Sequence, residues 1–232
     1  MRVLVAGVGN VLRADDGFGP AVADRLAERD LPEGVSVVET GIGGMALVQE
    51  LQAGYDALVV VDCVDLGRPP GQVMLIEPDV IDVDALSWSE RHDLLADMHL
   101  ATPERAMMLA RALGVLPANV LMVGCQPVDP DAIGQGLSEP VEAAVGIAVD
   151  EIVRHVGGLV GTGDGDAPTS APADAGGRVP VDAGGLPVVS MPGPAGVIAA
   201  SMPPVPASPA MPPVPASPAV PPVPASPAGR ED

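Results

Sequence analysis

The chain has 232 residues and a net charge of −20, and all 11 of its cationic side chains are arginines. Such an acidic chain repels phosphate backbones, which argues against nucleic acid as a partner. No apolar run reaches the ~18 residues of a membrane span, and the short apolar N-terminus soon meets charged residues, unlike a signal peptide. We therefore expect a cytoplasmic monomer with no nucleic-acid or membrane partner.

The composition changes near residue 160. Of the 28 prolines, 18 follow this point, whereas none of the three aromatic residues does. A segment without large apolar side chains cannot offset the entropy lost on ordering. The sequence therefore predicts one α/β domain over residues 1–160 and a disordered Pro/Ala/Gly-rich tail over residues 161–232. Three nine-residue repeats at 202–228 favour extended polyproline II in that tail.

The first predicted elements surround a glycine-rich loop. Residues 2–7 predict a strand that is continuously apolar after Arg2, as in a strand covered on both faces, and the loop after them carries Asp15 and Asp16. An amphipathic helix over 19–29, a second strand over 35–39 and a short helix over 45–52 follow. The very apolar residues 56–62 predict a third, central strand with Asp62 at its C-terminal end.

The second half continues the alternation. Residues 72–76 predict a fourth strand, antiparallel to the third because the connection is too short for a crossover helix. The long acidic segment 77–100 carries His92 and His99 and is typical of a lid or binding loop. Thr102 and Pro103 indicate the start of a helix that runs to residue 113. A fifth strand over 119–124 and a final helix over 139–155 complete the domain.

Strands that alternate with helices indicate a three-layer α/β/α sandwich, here with a five-stranded, mostly parallel mixed sheet. Ligands of such sheets bind at the carboxyl ends of the strands. Asp16 follows the first strand and Asp62 ends the third, so we expect these carboxylates to converge. Asp15 is interpreted as support for the helix that starts after Gly17. Cys63 and Cys125 are interpreted as reduced thiols of the core.

Several chemistries fit carboxylates in that position. A dinucleotide site is disfavoured because Leu12 replaces the third glycine of its fingerprint and the acids would repel a pyrophosphate. A phosphoacceptor receiver needs a lysine, which this chain lacks. A metal-dependent hydrolase or metal-recognising site suits carboxylates joined by His92 or His99, and such donors favour zinc or nickel. The alternative is a non-proteolytic metal-binding or scaffold protein that acts through the proline-rich tail.

A family resemblance narrows this choice. The opening MRVLVAGVGNVLRADDGFG resembles that of the [NiFe]-hydrogenase maturation proteases, Gly-x-Gly-Asn-x-Leu-x-x-Asp-(Asp/Glu)-x-x-Gly. Four further segments resemble the family in the same order, and together they cover residues 1–157: VVETGIGGMALVQEL, ALVVVDCVDLGRPPGQVMLIE, HLATPERAMMLARALGVLPANVLMVGCQPVD and GLSEPVEAAV.

The resemblance implies an endopeptidase that removes the C-terminal extension of a hydrogenase large-subunit precursor after nickel insertion. Its metal-binding and catalytic residues would be Asp16, Asp62 and His99, and the nickel would be that of the substrate. His99 is preferred over His92 because it keeps the family's distance to the following Gly-x-x-Pro turn. The family's Asp-Gly-Gly-Thr loop is altered here, so the role of its acid would pass to Glu39. Water activated by a carboxylate or by the metal would cleave the bond.

Overall fold

Six strands and four helices form the part of the chain that the computed structural model describes, which is residues 1–42, 44–83, 86–88, 102–161 and 185–190. The strands are β1 (Val3–Val8), β2 (Val35–Gly41), β3 (Ala57–Cys63), β4 (Val73–Glu77), β5 (Asn119–Cys125) and β6 (Val188–Ser190). The helices are α1 (Phe18–Ala27), α2 (Gly44–Leu51), α3 (Pro103–Ala112) and α4 (Glu139–Gly161), and a 3-10 turn (Ala14–Gly17) precedes α1.

The six strands form one sheet in the order β2-β1-β3-β5-β4-β6. Strands β2, β1, β3 and β5 are parallel, β4 is antiparallel to β5, and β6 is parallel to β4. This confirms the predicted α/β fold with a mostly parallel mixed sheet. The direction predicted for the fourth strand is also right. Its neighbour, however, is β5, which inserts between β3 and β4 after the chain has passed through α3.

The alternation of side chains along β3 shows how the sheet is covered on both faces. Val59 and Val61 pack in a core cluster with α1 and α4, whereas Leu58 and Val60 pack in a second cluster with α2 and α3. Every residue of β1 is buried, as its continuous apolar sequence predicted. No helix within the described ranges is long and apolar enough to cross a membrane.

The sixth strand corrects two predictions, a five-stranded sheet and a tail without structure from residue 161 onward. Val188 and Val189 pack against the two core clusters, one on each face, while Val188 is registered opposite Leu75 of β4. Two adjacent valines are therefore enough for a short edge strand within a proline-rich sequence. Helix α4 also extends beyond the predicted residue 155. The division at residue 160 stays a prediction, and the repeats at 202–228 lie outside the described residues.

We expect a chain that ends after Gly161 to unfold at a lower temperature than one that ends after Ser190. The shorter chain loses β6 and leaves the outer edge of β4 unpaired. Loss of these contacts should cost about 1 kcal/mol, which corresponds to a decrease in Tm of roughly 2–4 °C for a domain of this size. Thermal denaturation followed by circular dichroism measures the difference, and equal melting temperatures would contradict it.

The topology places one edge of the sheet in position for a site. After β1 the chain continues to β2, which lies on one side of β1 in the sheet. The later strands β3 and β5 lie on the other side, so the strand order reverses between the adjacent strands β1 and β3. At such a reversal the loops after the two strands separate and leave a crevice at their carboxyl ends. The loop that carries Asp16 and the end of β3 that carries Asp62 border this crevice.

Candidate functional site

The loop after β1 is closed on itself and fixes the Asp16 carboxylate. The backbone N–H of Asn10 donates to the carbonyl oxygen of Asp16 (3.1 Å) and to its Oδ2 (3.0 Å). Gly9 has a φ of +140°, and a Cβ there would strike the Asp16 carbonyl oxygen. Only glycine fits both the backbone angle and the close approach. The glycine of this motif therefore shapes the loop and positions Asp16.

Asp62 lies at the end of β3, beside the 3-10 turn that carries Asp16. The Cys63 N–H donates to Asp62 Oδ1 (2.8 Å) and lowers the Asp62 pKa, but this effect is outweighed. Burial, first, and then the negative charges of Asp16 and Glu104 raise the pKa of Asp62 well above its ordinary value. The structure thus brings Asp16 and Asp62 to the same crevice, as their positions after β1 and β3 led us to expect.

Glu104 is the acid that the sequence analysis missed. It lies in the first turn of α3, and its charge contributes to the raised pKa of Asp62. The sequence around Thr102 was interpreted only as a helix start. The sequence feature that could have indicated Glu104 is its position in the first turn of a helix, because the helix dipole favours acids there. This helix lies on the α2/α3 face of the sheet. Three carboxylates therefore influence this crevice.

We expect Asp62→Asn to raise Tm at pH 8 by ~2 °C or more. In the folded chain the Asp62 carboxyl keeps its proton to a higher pH than in the unfolded chain, so its ionised form costs stability as the pH rises through the folded pKa. Asn carries no charge and avoids this cost. At about pH 3 the Asp62 carboxyl is protonated in both the folded and the unfolded chain, so the increase in Tm should vanish there. Thermal melts at the two pH values test this prediction.

Asp65→Asn is the control for that experiment. The hydrogen bond from Gln126 and the one from the Gly67 N–H lower the Asp65 pKa, so its ionised form favours folding above the ordinary pKa. The substitution Asp65→Asn should therefore not raise Tm at pH 8. A gain for Asp62→Asn that is the same at both pH values would contradict the electrostatic explanation.

Asp15 has a different role from the one predicted. It is 3 % exposed and accepts hydrogen bonds from the Val128 N–H (2.9 Å), the Ser138 N–H (2.7 Å) and the Ser138 hydroxyl (3.0 Å). It therefore holds the loop between β5 and α4 and does not cap the helix after Gly17, whose N-cap has no side-chain hydrogen bond. The 3-10 turn directs this carboxylate inward, where it finds donors far along the chain.

The loops after β1 and β5 lie directly against each other. The Ala14 N–H donates to the Gly134 carbonyl (2.8 Å), and the Gly134 N–H donates to the Leu12 carbonyl (3.0 Å). The loop after β3 is held by the side chain of Gln126, which is 4 % exposed. Gln126 accepts from the backbone N–H groups of Leu66 (2.8 Å) and Arg68 (3.0 Å) and donates to Asp65 (2.8 Å). These bonds connect the loops after β1, β3 and β5 at the crevice.

Of the remaining candidate site residues, one is described by the structure and two are not. Glu39 is exposed near the end of β2. His92 and His99 lie outside the described residues. Within the described ranges, which leave out residues 89–101, no group of three or more His, Cys, Asp or Glu side chains lies close enough to hold a metal ion. The ligand roles of Asp16, Asp62 and His99 therefore stay predictions.

The two cysteines are free thiols in adjacent strands. Cys63 of β3 is registered opposite Cys125 of β5, and both belong to or pack against the α1/α4 core cluster. Burial raises the pKa of both thiols, that of Cys125 to about 12. Cys125 is a core residue, as predicted, whereas Cys63 is half-buried and packs against the same core. At neutral pH both carry almost no thiolate.

Comparisons with known proteins show which family this chain resembles. A family model described as hydrogenase maturation protease matches residues 20–155, a range that includes Asp62 and His99 and begins four residues after Asp16. The chain is 35 % identical over 177 residues to the hydrogenase expression/formation protein HoxM of Azotobacter vinelandii, covering 74 % of this chain and 82 % of the relative.

Two further relatives show the same likeness. The chain is 35 % identical over 156 residues to the hydrogenase expression/formation protein HupD of Rhodobacter capsulatus, covering 67 % of this chain and 71 % of HupD. The solved structure of the hydrogenase maturating endopeptidase HybD from E. coli superposes with a TM-score of 0.52 at 27 % identity, over 70 % of this chain and 94 % of HybD.

Proposed function

Because this chain belongs to the hydrogenase maturation protease family, we propose that it cleaves the C-terminal extension from the precursor of a [NiFe]-hydrogenase large subunit. The family makes the chain a protease, and the resemblance noted in its sequence is thereby confirmed. The substrate, the dependence on nickel and the residues that act belong to the proposal. The observation that carries it is the contact between the 3-10 turn that carries Asp16 and β3, which carries Asp62, at the crevice between β1 and β3.

The charges of the crevice favour a cation. Asp62 is partly buried, and the negative charges of Asp16 and Glu104 act on it without a described cation beside it. A metal ion carried by the substrate would relieve this repulsion, and oxygen and imidazole donors suit nickel. We propose that Asp16, Asp62 and His99 bind the nickel already inserted in the precursor, so that only a nickel-loaded precursor is positioned for cleavage.

The chain connectivity supports His99 as the third ligand. His99 lies three positions before Thr102 in the sequence, and three extended residues span at most ~11 Å. Thr102 directly precedes α3, whose first turn carries the Glu104 that acts on Asp62. We therefore place the third ligand on His99, the histidine whose sequence position is nearer to α3. His92 is ten residues from the same point and has no such constraint.

Hydrolysis of a peptide bond requires a water molecule that loses a proton as it attacks the carbonyl carbon. Asp62 is a carboxylate of the crevice whose pKa is raised well above its ordinary value, first by burial. A carboxylate at this position can accept that proton and then donate it to the leaving amine. We place this proton transfer on Asp62, while the nickel of the substrate polarises the reacting groups.

The experiment that tests this function is the incubation of the protein with a nickel-loaded large-subunit precursor, followed by intact-mass spectrometry. We expect the precursor mass to decrease by one C-terminal peptide, and the precursor alone should keep its mass. A scaffold or a non-proteolytic metal-binding protein would bind the precursor without changing its mass. We further propose that the protein acts in the cytoplasm and as a monomer.

A further inference from the structure

Exposed apolar side chains are concentrated around the crevice. Ten large apolar side chains are well exposed in the described part of the chain, with Ile133 at 89 % and Ile42 at 63 %. Six of the ten lie just beyond the carboxyl ends of β1, β2 and β5. These six, here called the apolar rim, are Val11, Leu12, Ile42, Met45, Val128 and Ile133. Single exposed apolar residues are ordinary, but a concentration beside a site marks an interaction surface.

Backbone hydrogen bonds join the parts of the apolar rim. The Gly134 N–H bonds to the Leu12 carbonyl (3.0 Å), which places Ile133 beside the loop after β1. On the other side the Gly9 N–H donates to the Gly41 carbonyl (3.2 Å), which places Ile42 beside the same loop. The rim therefore extends from β2 across β1 to β5 and borders the crevice on these sides.

The stability of the fold does not account for the apolar rim. Its loops are held by backbone hydrogen bonds and by the buried Asp15 carboxylate, while the rim side chains point outward. Exposed side chains of this kind contribute little to folding. A binding role does explain them, because the loops after β1 and β5 border the crevice that a protein segment must enter to reach Asp62.

The charges near the apolar rim indicate the chemistry of the segment that it binds. Exposed acids lie close to it at Glu39, Asp129 and Asp131, and the chain as a whole carries −20. The nearby Arg13 is already 4.0 Å from Asp131. A segment with apolar side chains flanked by positively charged ones would complement both properties.

We propose that the apolar rim is the docking surface for the precursor and binds an apolar, basic segment of it next to the scissile bond. This inference rests on the proposed function, because it assumes that a protein substrate enters the crevice. Rim contacts are made equally before and during the reaction. They therefore lower the KM for the precursor and leave kcat unchanged.

The test compares Ile133→Asp with the control Ile147→Asp, whose isoleucine is 51 % exposed on α4 outside the rim. Both variants should keep the Tm of the wild-type protein. We expect Ile133→Asp to raise the KM for nickel-loaded precursor ~10-fold or more with kcat near wild-type, and Ile147→Asp to leave both constants unchanged. Leu12→Asp should repeat the effect of Ile133→Asp.

The possible failures are distinguishable. If the wild-type protein does not cleave the precursor, the proposed function is wrong. If the wild-type protein cleaves it and Ile133→Asp has the same KM as Ile147→Asp, the docking surface is wrong and the function stands. Sedimentation analysis adds a third outcome. A wild-type dimer that Ile133→Asp dissociates, with an unchanged KM, would show that a second copy of the chain occupies the rim, and would overturn the proposal.

Discussion

Asp16→Asn, Asp62→Asn and His99→Ala are each expected to lower kcat/KM for precursor cleavage at least ~100-fold and to leave the fold intact. Each substitution removes a negative charge or an imidazole that would bind the nickel of the substrate. Asp62→Asn also removes the group that accepts the proton of the attacking water. Cleavage rates with a nickel-loaded precursor measure the effect, and circular dichroism checks the fold.

His92→Ala is the matched control for His99→Ala, because both histidines lie in the same segment before α3 and the spacing favours only His99. We expect His92→Ala to cleave at the wild-type rate. Normal cleavage by any of the three site variants would remove that residue from the proposed site. Asp62→Asn should combine the lost activity with the increased Tm at pH 8. A variant that is more stable but inactive indicates a carboxylate retained for function at a cost in stability.

Asp15→Ala is expected to lower the free energy of unfolding by roughly 2–4 kcal/mol. The carboxylate is buried and accepts three hydrogen bonds, from the Val128 N–H and from the N–H and hydroxyl of Ser138. Alanine leaves these donors without their acceptor, and the loop between β5 and α4 loses its link to the 3-10 turn. Urea denaturation followed by circular dichroism measures the loss.

Asp131→Ala is the control for Asp15→Ala. The Asp131 side chain is 96 % exposed and lies 4.0 Å from Arg13, at the limit of an ion pair. Exposed pairs of this kind contribute little, so we expect no measurable change in the free energy of unfolding. Equal stabilities for Asp15→Ala and Asp131→Ala would show that the hydrogen bonds of Asp15 do not hold the fold.

The parts of the fold that the sequence predicted are those with strong local patterns. The continuous apolar residues of β1 and β3 allow only a strand covered on both faces, and Thr102-Pro103 begins α3 as such pairs usually do. The position of β5 between β3 and β4 was missed because strand order depends on packing between distant segments. Strand β6 was missed because the proline-rich composition around Val188 and Val189 outweighed two valines.

Some residues of the candidate site could likewise be predicted from local sequence, whereas others depend on contacts between distant segments. The crevice with Asp16 and Asp62 could be predicted, because both residues follow parallel strands and such ends meet at one edge of the sheet. The role of Asp15 could not be predicted, since its hydrogen-bond donors are 113 and 123 residues away. Glu104 and Gln126 were missed for the same reason, since Asp62 in β3 and the loop after β3 become their neighbours only in the folded chain.

The most direct test of nickel recognition is a comparison of nickel-loaded and nickel-free precursor, each incubated with the wild-type protein and followed by intact-mass spectrometry. If Asp16, Asp62 and His99 bind the substrate's nickel, the loaded precursor loses its C-terminal extension and the nickel-free precursor keeps its full mass. Equal cleavage of the two precursors would contradict this role for the three residues.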